Sequence, residues 1–302
     1  MKLAIASGKG GTGKTTIAVS LALSLATENL PAPLLVDCDV EEPNAALFLG
    51  PQITEQRNVD HPIPEVDPAR CTLCGRCAEV CQYHAIAVIG SQTLVFPELC
   101  HSCGSCARQC LAGAIREVSN VIGSLERGTV TPPPDLRKAK EIAFAQGTLN
   151  IGEAMAVPVI RQLKRWAIPD DGETNAHDRP IILDAPPGAS CPVVETLRGA
   201  DVVLLVTEPT PFGLHDLQVA VQVARDELNL PVAILINRDS DGYNGVDDYC
   251  AAENLPILMR IPLKRSVAEG IANGRSLVTI RPKYQRRFVA LWEKLKTMNQ
   301  ES

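Results

Sequence analysis

The sequence predicts an α/β protein with a doubly wound, mostly parallel sheet that is interrupted by a small cysteine-rich segment. An apolar run near the N-terminus leads through a glycine-rich loop into a stretch with helical spacing. Later in the chain, short apolar runs alternate with further helical stretches, as in sheets covered by helices on both faces. Between these parts, cysteines recur at short and regular spacings.

The composition limits the class of protein before any motif is considered. Its 302 residues, 45% of them hydrophobic, suffice for one large core and a small second module. The net charge of −6 argues against a nucleic-acid binder, which normally presents a basic surface. No apolar run approaches the ~20 residues that span a bilayer, and the first is too short for a signal peptide. We therefore expect a cytoplasmic protein whose cysteines bind metal.

The first predicted elements form a strand–loop–helix–strand unit. Residues Lys2–Ala6 are an apolar strand, and residues 16–29, after the glycine-rich loop, have a continuous apolar face at helical spacing. A second strand, Leu34–Val36, ends at a pair of aspartates. This order is typical of the βαβ unit of a parallel sheet.

The middle of the chain is less regular. Residues 59–70 are rich in Pro and Asp and predict a linker, which leads into the cysteines. Beyond the cysteines we expect a pair of strands up to Val130, a helix over 153–166 and a surface loop over 172–180. The sequence thus predicts one α/β domain in two parts, 1–58 and 119–302. The insertion between the two parts covers 59–118.

After this region the α/β alternation is clear. The expected strands are Ile181–Leu183, Val202–Val206, Val232–Ile236 and Pro256–Arg260. The expected helices are 192–199, 214–228, 245–253, 265–273 and 283–298. Buried strands separated by helices indicate a doubly wound parallel sheet, so the cysteine-rich segment is an insertion within one α/β domain.

The glycine-rich loop predicts a nucleotide phosphate site. Residues 8–15 satisfy G-x-x-x-x-G-K-[ST] between a strand and a helix, where backbone N–H groups and the helix dipole favour phosphate. Lys14 is expected to neutralise β- and γ-phosphate oxygens, Thr15 to bind Mg²⁺ and Thr16 to contact the α-phosphate. The alternative is a glycine-rich turn without a ligand. The other residues of the loop are also expected to bind ATP or ADP; they are Gly8, Lys9, Gly10, Gly11, Thr12 and Gly13.

Lys9, directly after the first glycine, makes the loop resemble the deviant Walker A loop of the MinD/ParA/NifH/Mrp ATPases, which are P-loop NTPases. In that family the lysine reaches the nucleotide of a partner subunit. The resemblance therefore implies an ATP-dependent dimer, either of identical chains or with a paralogous ATPase. It also implies catalytic roles for Lys9 and Lys14.

Further residues extend the resemblance. Asp37 and Asp39 resemble the family's switch I, in which Asp39 would orient the attacking water and Asp37 would lie near Mg²⁺. Asp184, in IILDAPPG, matches the Walker B aspartate that holds Mg²⁺. Asn237, in ILIN, matches the adenine-binding asparagine, and Pro262 would complete the base pocket through its backbone. Taken singly, an aspartate or asparagine at a strand end can equally be a helix cap.

The cysteines form two runs of the pattern C-x₂-C-x₂-C-x₃-C, and the second run repeats the first. This doubled run resembles the bacterial-type ferredoxin that holds two [4Fe–4S] clusters. Structural zinc is the alternative, because C-x-x-C pairs also bind zinc. The expected ligands are Cys71, Cys74, Cys77, Cys81, Cys100, Cys103, Cys106 and Cys110.

The resemblance implies that the ligand sets cross between the runs. Three closely spaced thiolates of one run and the last thiolate of the other would hold each cluster. Cluster one would be bound by Cys71, Cys74, Cys77 and Cys110, and cluster two by Cys100, Cys103, Cys106 and Cys81. Gln82 and Leu111 replace the proline that usually follows each run, which we expect to alter the cluster potentials without preventing ligation.

Three cysteines lie outside the runs. Cys38 and Cys250 are expected to be structural. Cys191 follows the predicted switch II turn, Pro186–Gly188, and is expected to be a buried structural thiol. Its alternatives are a sensor of nucleotide state or a metal ligand at a dimer interface.

The last predicted helix carries an apolar stripe formed by Phe288, Leu291, Trp292, Leu295 and Met298. MinD uses a C-terminal amphipathic helix to bind membranes, which makes a membrane contact the alternative interpretation. Packing of the stripe on the sheet is the expected role.

The sequence therefore predicts an Mg-ATP-hydrolysing iron–sulfur protein in which a nucleotide-gated dimer couples ATP state to electron transfer with a redox partner. One alternative is an iron–sulfur assembly or carrier ATPase resembling Mrp. Those carriers use a short C-x-x-C, whereas Cys191 lacks a second cysteine at that spacing. Another alternative is a MinD-like positioning ATPase whose clusters sense redox state.

Overall fold

The computed structural model describes residues 1–136, 139–169, 179–240 and 242–301. The predicted surface loop over 172–180 lies outside this range except for its last two residues. The strands are β1 (Lys2–Ala6), β2 (Leu34–Asp37), β3 (Gln52–Asp60), β4 (Ile63–Val66), β5 (Ile86–Ile89), β6 (Gln92–Val95), β7 (Ile115–Val118), β8 (Val121–Val130), β9 (Ile142–Leu149), β10 (Ile181–Asp184), β11 (Val202–Thr207), β12 (Val232–Asp239) and β13 (Ile257–Pro262).

One sheet contains nine of these strands in the order β13-β12-β11-β1-β10-β2-β9-β8-β3. Every neighbouring pair from β13 to β9 is parallel. The strand β8 is antiparallel to both of its neighbours, β9 and β3. The prediction of a mostly parallel α/β sheet is confirmed.

Helices cover the sheet on both faces. They are α1 (Lys14–Leu25), α2 (Ala45–Leu49), α3 (Arg76–Val80), α4 (Ser105–Arg108), α5 (Ala156–Ala167), α6 (Cys191–Leu197), α7 (Pro211–Val221), α8 (Gly245–Ala252), α9 (Arg265–Ala272), α10 (Leu277–Ile280) and α11 (Lys283–Glu301). A π-helical segment, Gln222–Glu227, continues α7. One core lies between the sheet and α1 and α11, and a second lies between the sheet and α5 to α8.

The C-terminal helix α11 packs into the first of these cores. Phe288, Leu291, Trp292 and Leu295 are at most 2% exposed. Burial of each such side chain contributes about 1.5–3 kcal/mol, which explains why α11 packs against the sheet. The expected packing of the stripe in the core is confirmed. Within the described ranges, no helix has the length and apolar character needed to cross a membrane.

Several elements differ from the expectation. The predicted linker over 59–70 is wrong, because it contains the end of β3 and all of β4. The pair of strands expected between residue 119 and Val130 is wrong, because a single strand, β8, fills this stretch. The strands β3 and β9 and the helix α2 were not predicted. The strand β3 is exposed at almost every position, so it lacks the apolar alternation by which strands are recognised.

The cysteine-rich segment leaves and rejoins the main sheet at one edge. It begins after β3 and ends before β8, which are hydrogen-bonded neighbours. A backbone hydrogen bond of 2.8 Å from His61 to Asn120 joins the two connections. The segment itself contains two small antiparallel sheets, β4–β7 and β5–β6, together with α3 and α4.

Candidate functional site

The phosphate loop lies between the central strand β1 and α1. Gly11 and Gly13 have positive φ values of 76° and 96°, a left-handed conformation that glycine adopts without strain. A Cβ atom on Gly8 would lie 2.0 Å from the carbonyl oxygen of Asp216 in α7, so this position has no room for a side chain. The glycines therefore serve both the turn of the loop and its close packing against a neighbouring helix.

Asp184, at the end of β10, is a buried acid near the loop. It is fully buried, and neither of its carboxylate oxygens has a hydrogen-bond partner within the described ranges. Burial raises the pKa of Asp184 well above its ordinary value, and the neighbouring charge of Asp37 adds to this effect. The Thr15 hydroxyl and the Lys14 charge act in the opposite direction. Two orphaned carboxylate oxygens beside a threonine hydroxyl fit a hard divalent cation such as Mg²⁺.

Asp37, at the end of β2, is fully buried and holds the loop that follows it. Its carboxylate accepts backbone N–H bonds from Asp39 at 3.1 Å and from Asn44 and Ala45 at 3.0 Å. Burial raises the pKa of Asp37 from 3.8 to about 6, although these N–H donors oppose the shift. Asp37 therefore fixes the start of α2 in addition to lying beside Asp184.

Asp39 and Lys14 face each other across the start of α1. Burial raises the pKa of Asp39, and the charge of Lys14 lowers it. Lys14 is itself only 7% exposed. The structure thus brings the predicted water-orienting acid, the phosphate lysine and the predicted Mg²⁺ acid into one neighbourhood.

The predicted base-pocket residues lie at the ends of the next strands. Asn237, on β12, donates from its side-chain amide to the carbonyl oxygen of Thr12 at 2.7 Å. Pro262 ends β13, the strand next to β12. Both residues are therefore at the carboxyl edge of the parallel sheet, where ligands of open α/β folds bind. Thr16 is buried in the first turn of α1.

Lys9 has a partner that the sequence did not reveal. Its ammonium group lies 3.4 Å from the carboxylate of Glu208, which is also 2.7 Å from the guanidinium of Arg238. Glu208 directly follows β11, the neighbour of β1. In the sequence, Glu208 could have been recognised as a charged residue that directly follows the apolar run of β11.

The cysteines are distributed around two cavities in the crossed sets implied by the ferredoxin resemblance. Among the residues lining the first cavity are Cys71, Cys74, Cys77 and Cys110. Among those lining the second are Cys81, Cys100, Cys103 and Cys106. Each cavity thus combines three cysteines of one run with the last cysteine of the other.

The two cysteine runs share glycine conformations and sulfur hydrogen bonds around these cavities. Gly75 and Gly104, at 79° and 69°, occupy equivalent places in the two runs. The sulfurs of Cys81 and Cys110 each accept a backbone N–H bond of 3.3 Å, from Ala85 and Ala114 respectively. Such bonds stabilise a thiolate and tune the potential of a cluster that it holds.

The thiols differ in how easily they ionise. Backbone hydrogen bonding from Arg76 lowers the pKa of Cys74, and the Ser105 hydroxyl lowers that of Cys103. Burial raises the pKa of Cys77, Cys100 and Cys106. Within the described part of the chain, no three His, Cys, Asp or Glu side chains converge closely enough to hold a single metal ion. The sulfurs instead surround a space shared by four of them.

The remaining cysteines are divided between core and surface. Cys38 and Cys250 are buried, as expected for structural thiols. The expected burial of Cys191 is wrong, because this residue is exposed at the first position of α6. Ser190, which precedes the helix, is also exposed, whereas Val193 is buried, so Cys191 lies on the solvent side of the first turn of α6.

Comparisons with known proteins agree with this architecture. The profile CbiA, described as the CobQ/CobB/MinD/ParA nucleotide binding domain, matches residues 3–278. The uncharacterized protein MJ0578 of Methanocaldococcus jannaschii is 32% identical over 98% of this chain and 96% of its own length. A second protein of that organism, MJ0579, is 28% identical over 92% and 91%. A short stretch of 48 residues, 16% of this chain, is 50% identical to part of the iron–sulfur cluster carrier protein of Synechocystis.

Solved structures share the fold at low sequence identity. The Pyrococcus horikoshii septum site-determining protein MinD, complexed with Mg-ADP, has a TM-score of 0.51 at 18% identity and covers 97% of this chain and 94% of that one. MinD in the Aquifex aeolicus MinC:MinD complex has a TM-score of 0.57 at 14% identity, with coverage of 98% and 95%. On the family match and the full-length relative, this chain belongs to the CobQ/CobB/MinD/ParA nucleotide-binding family.

Proposed function

We propose that this protein is an Mg-ATP-dependent ATPase that couples its nucleotide state to electron transfer through two [4Fe–4S] clusters. The observation that carries the proposal is the distribution of eight cysteines into two crossed sets of four, around two cavities, in a chain of a nucleotide-binding family. In this proposal residues 59–118 form an inserted cluster domain, while 1–58 and 119–302 form the ATPase domain.

The proposed nucleotide site uses the loop from Gly8 to Thr16. Backbone N–H groups and Lys14 would bind the phosphates, while Thr15 and Asp184 would hold Mg²⁺. Support for the metal comes from the two buried, unpartnered oxygens of Asp184. Asp39 would orient the attacking water. In support of this role, its carboxylate is close enough to Lys14 for the lysine charge to lower its pKa. Asn237 and Pro262 would bind the base.

The proposed cluster sites use the two cysteine sets. Each cluster, when bound, can accept or donate one electron. The chain contributes the thiolates, the N–H donors to their sulfurs and the glycines that shape each loop. Zinc is a weaker interpretation, because a zinc ion needs four sulfurs within ~2.3 Å of one point, whereas here no three ligands converge in the described residues.

Dimerisation is part of the proposal. Lys9 would reach the nucleotide bound by a second subunit, either an identical chain or a paralogue. Two paralogous relatives occur together in one organism, Methanocaldococcus jannaschii, which is compatible with a heterodimer. In this proposal the protein works in the cytoplasm with a redox partner and contacts neither nucleic acid nor membrane.

The test is an anaerobic comparison of the wild-type protein with Lys14→Ala and Asp39→Ala. We expect both variants to keep the cluster absorbance and to lose ATP hydrolysis by at least about 100-fold, the usual effect of removing preorganised charge stabilisation. In the wild type, EPR-monitored redox titration should give different potentials with and without Mg-ATP. Identical potentials would count against the coupling, and hydrolysis that persists in both variants would overturn the site assignment.

A second candidate is a carrier that delivers iron–sulfur clusters. It is favoured by the 48-residue match to the iron–sulfur cluster carrier protein of Synechocystis. The test is incubation of the loaded protein with an apo-ferredoxin in the presence of Mg-ATP. Transfer of a cluster would favour the carrier, whereas retention of both clusters would favour electron transfer.

A further inference from the structure

A continuous row of polar side chains crosses the main sheet from the phosphate site to its exposed edge. The register places Asp184 of β10 beside Asp37 of β2, and Asp37 beside Gln146 of β9. Gln146 is paired with Glu126 of β8, and Glu126 with Gln56 of β3. Directly paired residues of neighbouring strands have their side chains on the same face, so these five form a single line.

The row joins two regions with different roles. At one end Asp184 is fully buried beside the phosphate loop, and at the other Gln56 is exposed on the edge strand. Neighbouring strands are ~4.8 Å apart, so the four steps of the row span roughly 19 Å. The strand β3 ends at Asp60, immediately before the cysteine-rich segment. The row therefore leads to the strand from which that segment begins.

The middle of the row contains a side chain whose hydrogen bonding is incomplete. The Nε2 group of Gln146 donates to Glu126 at 2.7 Å. Its Oε1 atom is buried and has no hydrogen-bond partner within the described ranges. A buried amide oxygen without a donor costs about 1–3 kcal/mol. This cost makes a second side-chain arrangement of Gln146 more favourable once a different hydrogen-bond partner becomes accessible.

Asp37, the neighbour of Gln146, is held by a loop that lies beside the nucleotide site. Its carboxylate accepts three backbone N–H groups, those of Asp39, Asn44 and Ala45. Movement of Asp39 toward a bound nucleotide would withdraw at least one of these donors. The amide of Gln146 is the next donor along the row, and rotating it toward Asp37 would release Glu126.

We propose that Gln146 and Glu126 are positioning residues that transmit the nucleotide state from the Asp37 loop to β8 and β3, and so to the cysteine-rich segment. The inference rests on the proposed nucleotide site, but it does not depend on electron transfer. Gln146 has two alternatives, bonded to Glu126 without nucleotide and bonded to Asp37 with Mg-ATP. Such a two-state element is what a coupling between distant sites requires.

Hydrogen–deuterium exchange of the full-length, cluster-loaded protein tests this inference. In the wild type, saturating Mg-ATP should change the exchange of β3 and β8 amides by about tenfold, within the range of roughly 5–150-fold typical of coupled sites. Gln146→Met keeps the length of the side chain but removes the amide, and should reduce this change to less than about twofold. Glu126→Gln replaces the charged acceptor of the Gln146 amide by a weaker neutral one, which favours the Asp37-bonded arrangement with and without nucleotide. It should therefore also reduce the change to less than about twofold, and it serves as the second variant if Gln146→Met folds poorly.

Thr148→Val is the matched control, because Thr148 lies on the same strand and face two residues beyond Gln146, where it is paired with Ser124. It should keep the full wild-type response. Retention of the tenfold change in both Gln146→Met and Glu126→Gln would overturn the inference, as would unchanged β3 exchange in the wild type with bound nucleotide. Binding of a fluorescent ATP analogue is measured in parallel. A wild type that binds no nucleotide refutes the proposed function, and with it this inference, whereas a β3 response without any change in cluster potential refutes only the electron-transfer coupling.

Discussion

At the scale of single residues, the nucleotide site is dominated by two acids placed side by side in the sheet. Asp184 and Asp37 are paired in the register, both are fully buried, and burial raises the pKa of each. Asp37 has three backbone donors, while Asp184 has none within the described ranges. The site is therefore costly to fold without a cation, which is typical of functional sites.

Stability of the cation-free protein should consequently depend on pH. Because burial raises the pKa of Asp37 from 3.8 to about 6, the folded state binds this proton more tightly than the unfolded chain does. Stability is then greatest below pH 3.8 as far as this group is concerned, and falls as pH rises to about 6, by up to about 3 kcal/mol. Urea unfolding of the wild type and of Asp37→Asn, without Mg²⁺ and at several pH values, isolates this change. A wild type that loses no stability relative to Asp37→Asn over this window would contradict it.

Replacement of Asp184 separates the cost of the buried charge from its use. Asp184→Asn keeps the shape of the side chain and removes the charge, so without Mg²⁺ at pH 8 we expect unfolding to cost about 1–3 kcal/mol more than in the wild type. The variant should gain no further stability from Mg-ATP. Differential scanning calorimetry with and without Mg-ATP measures both effects. Equal stabilisation of wild type and variant by Mg-ATP would show that Asp184 does not hold the metal.

The crossed cysteine sets make a second prediction at this scale. Cys110→Ala should impair cluster one, whose cavity this residue lines, although the other three cysteines of its run line the second cavity. Cys81→Ala should impair cluster two in the same way. Iron content and EPR of each variant measure the loss, and the exposed Cys191→Ala is the control that should keep both clusters. Loss of the cluster bound by the variant's own run would contradict the crossed assignment.

At the scale of elements, α6 depends on a single lysine of α5. The ammonium group of Lys164 donates to the carbonyl oxygens of Glu195, Thr196 and Arg198 at 2.7 to 2.9 Å. The last carbonyl groups of a helix have no partner within the helix, so Lys164 supplies what the end of α6 lacks. Lys164 therefore fixes the C-terminal end of α6, the helix that follows the predicted switch II turn.

Removal of this cap gives an element-scale prediction. Lys164→Met keeps the aliphatic chain and removes three hydrogen bonds to backbone carbonyls, so we expect a loss of about 2–4 kcal/mol in unfolding free energy. The exposed Lys294→Met, on α11, is the control and should change stability by less than about 0.5 kcal/mol. Chemical denaturation of both variants measures the difference. Equal effects in the two variants would contradict the capping role.

Sequence alone predicted the strands that form continuous apolar runs, but it missed the largely buried β9 and the exposed β3. The strands β1, β2 and β10 to β13 are apolar on both faces, which gives a clear pattern. The edge strand β3 has polar residues at most positions, and Pro and Asp after it resemble a linker. The positions of Lys14, Asp39 and Asp184 followed from motifs. By contrast, the contacts of Glu208 with Lys9 and of Gln146 with Glu126 join residues far apart in the sequence, which no local pattern connects.

At the scale of the whole molecule, the phosphate loop and the cysteine-rich segment are far apart. The loop follows β1 at the centre of the sheet, and the segment follows β3 at its edge, five strands away. At ~4.8 Å per strand the two strands are roughly 24 Å apart. Coupling within one subunit would pass through the intervening strands or through α5, which packs on β3 and on α6, or a second subunit would bring the two regions together.

Association of two subunits is therefore the whole-molecule prediction. With Mg-ATP we expect a dimer in which Lys9 leaves Glu208 and contacts the nucleotide of the partner. Lys9→Ala should bind Mg-ATP and remain monomeric, whereas Asp39→Ala, which retains ATP, should accumulate the dimer. Sedimentation velocity with and without Mg-ATP measures both. An Lys9→Ala protein that still dimerises would exclude this lysine from the interface.

The central position of β1 also has a consequence for how the protein is made. The first strand pairs only with β10 and β11, whose residues follow it by some 180 to 200 positions, as in the bond from Lys2 to Asp201. On a ribosome adding about 5–20 residues per second, the cysteine-rich segment emerges complete several seconds before β10 and β11 are translated. Its pairings, β4–β7 and β5–β6, are all internal to the segment. Under the proposed function, the segment would then be able to bind its clusters before the sheet closes, and cluster assembly and folding of the α/β domain would be separate events in biosynthesis.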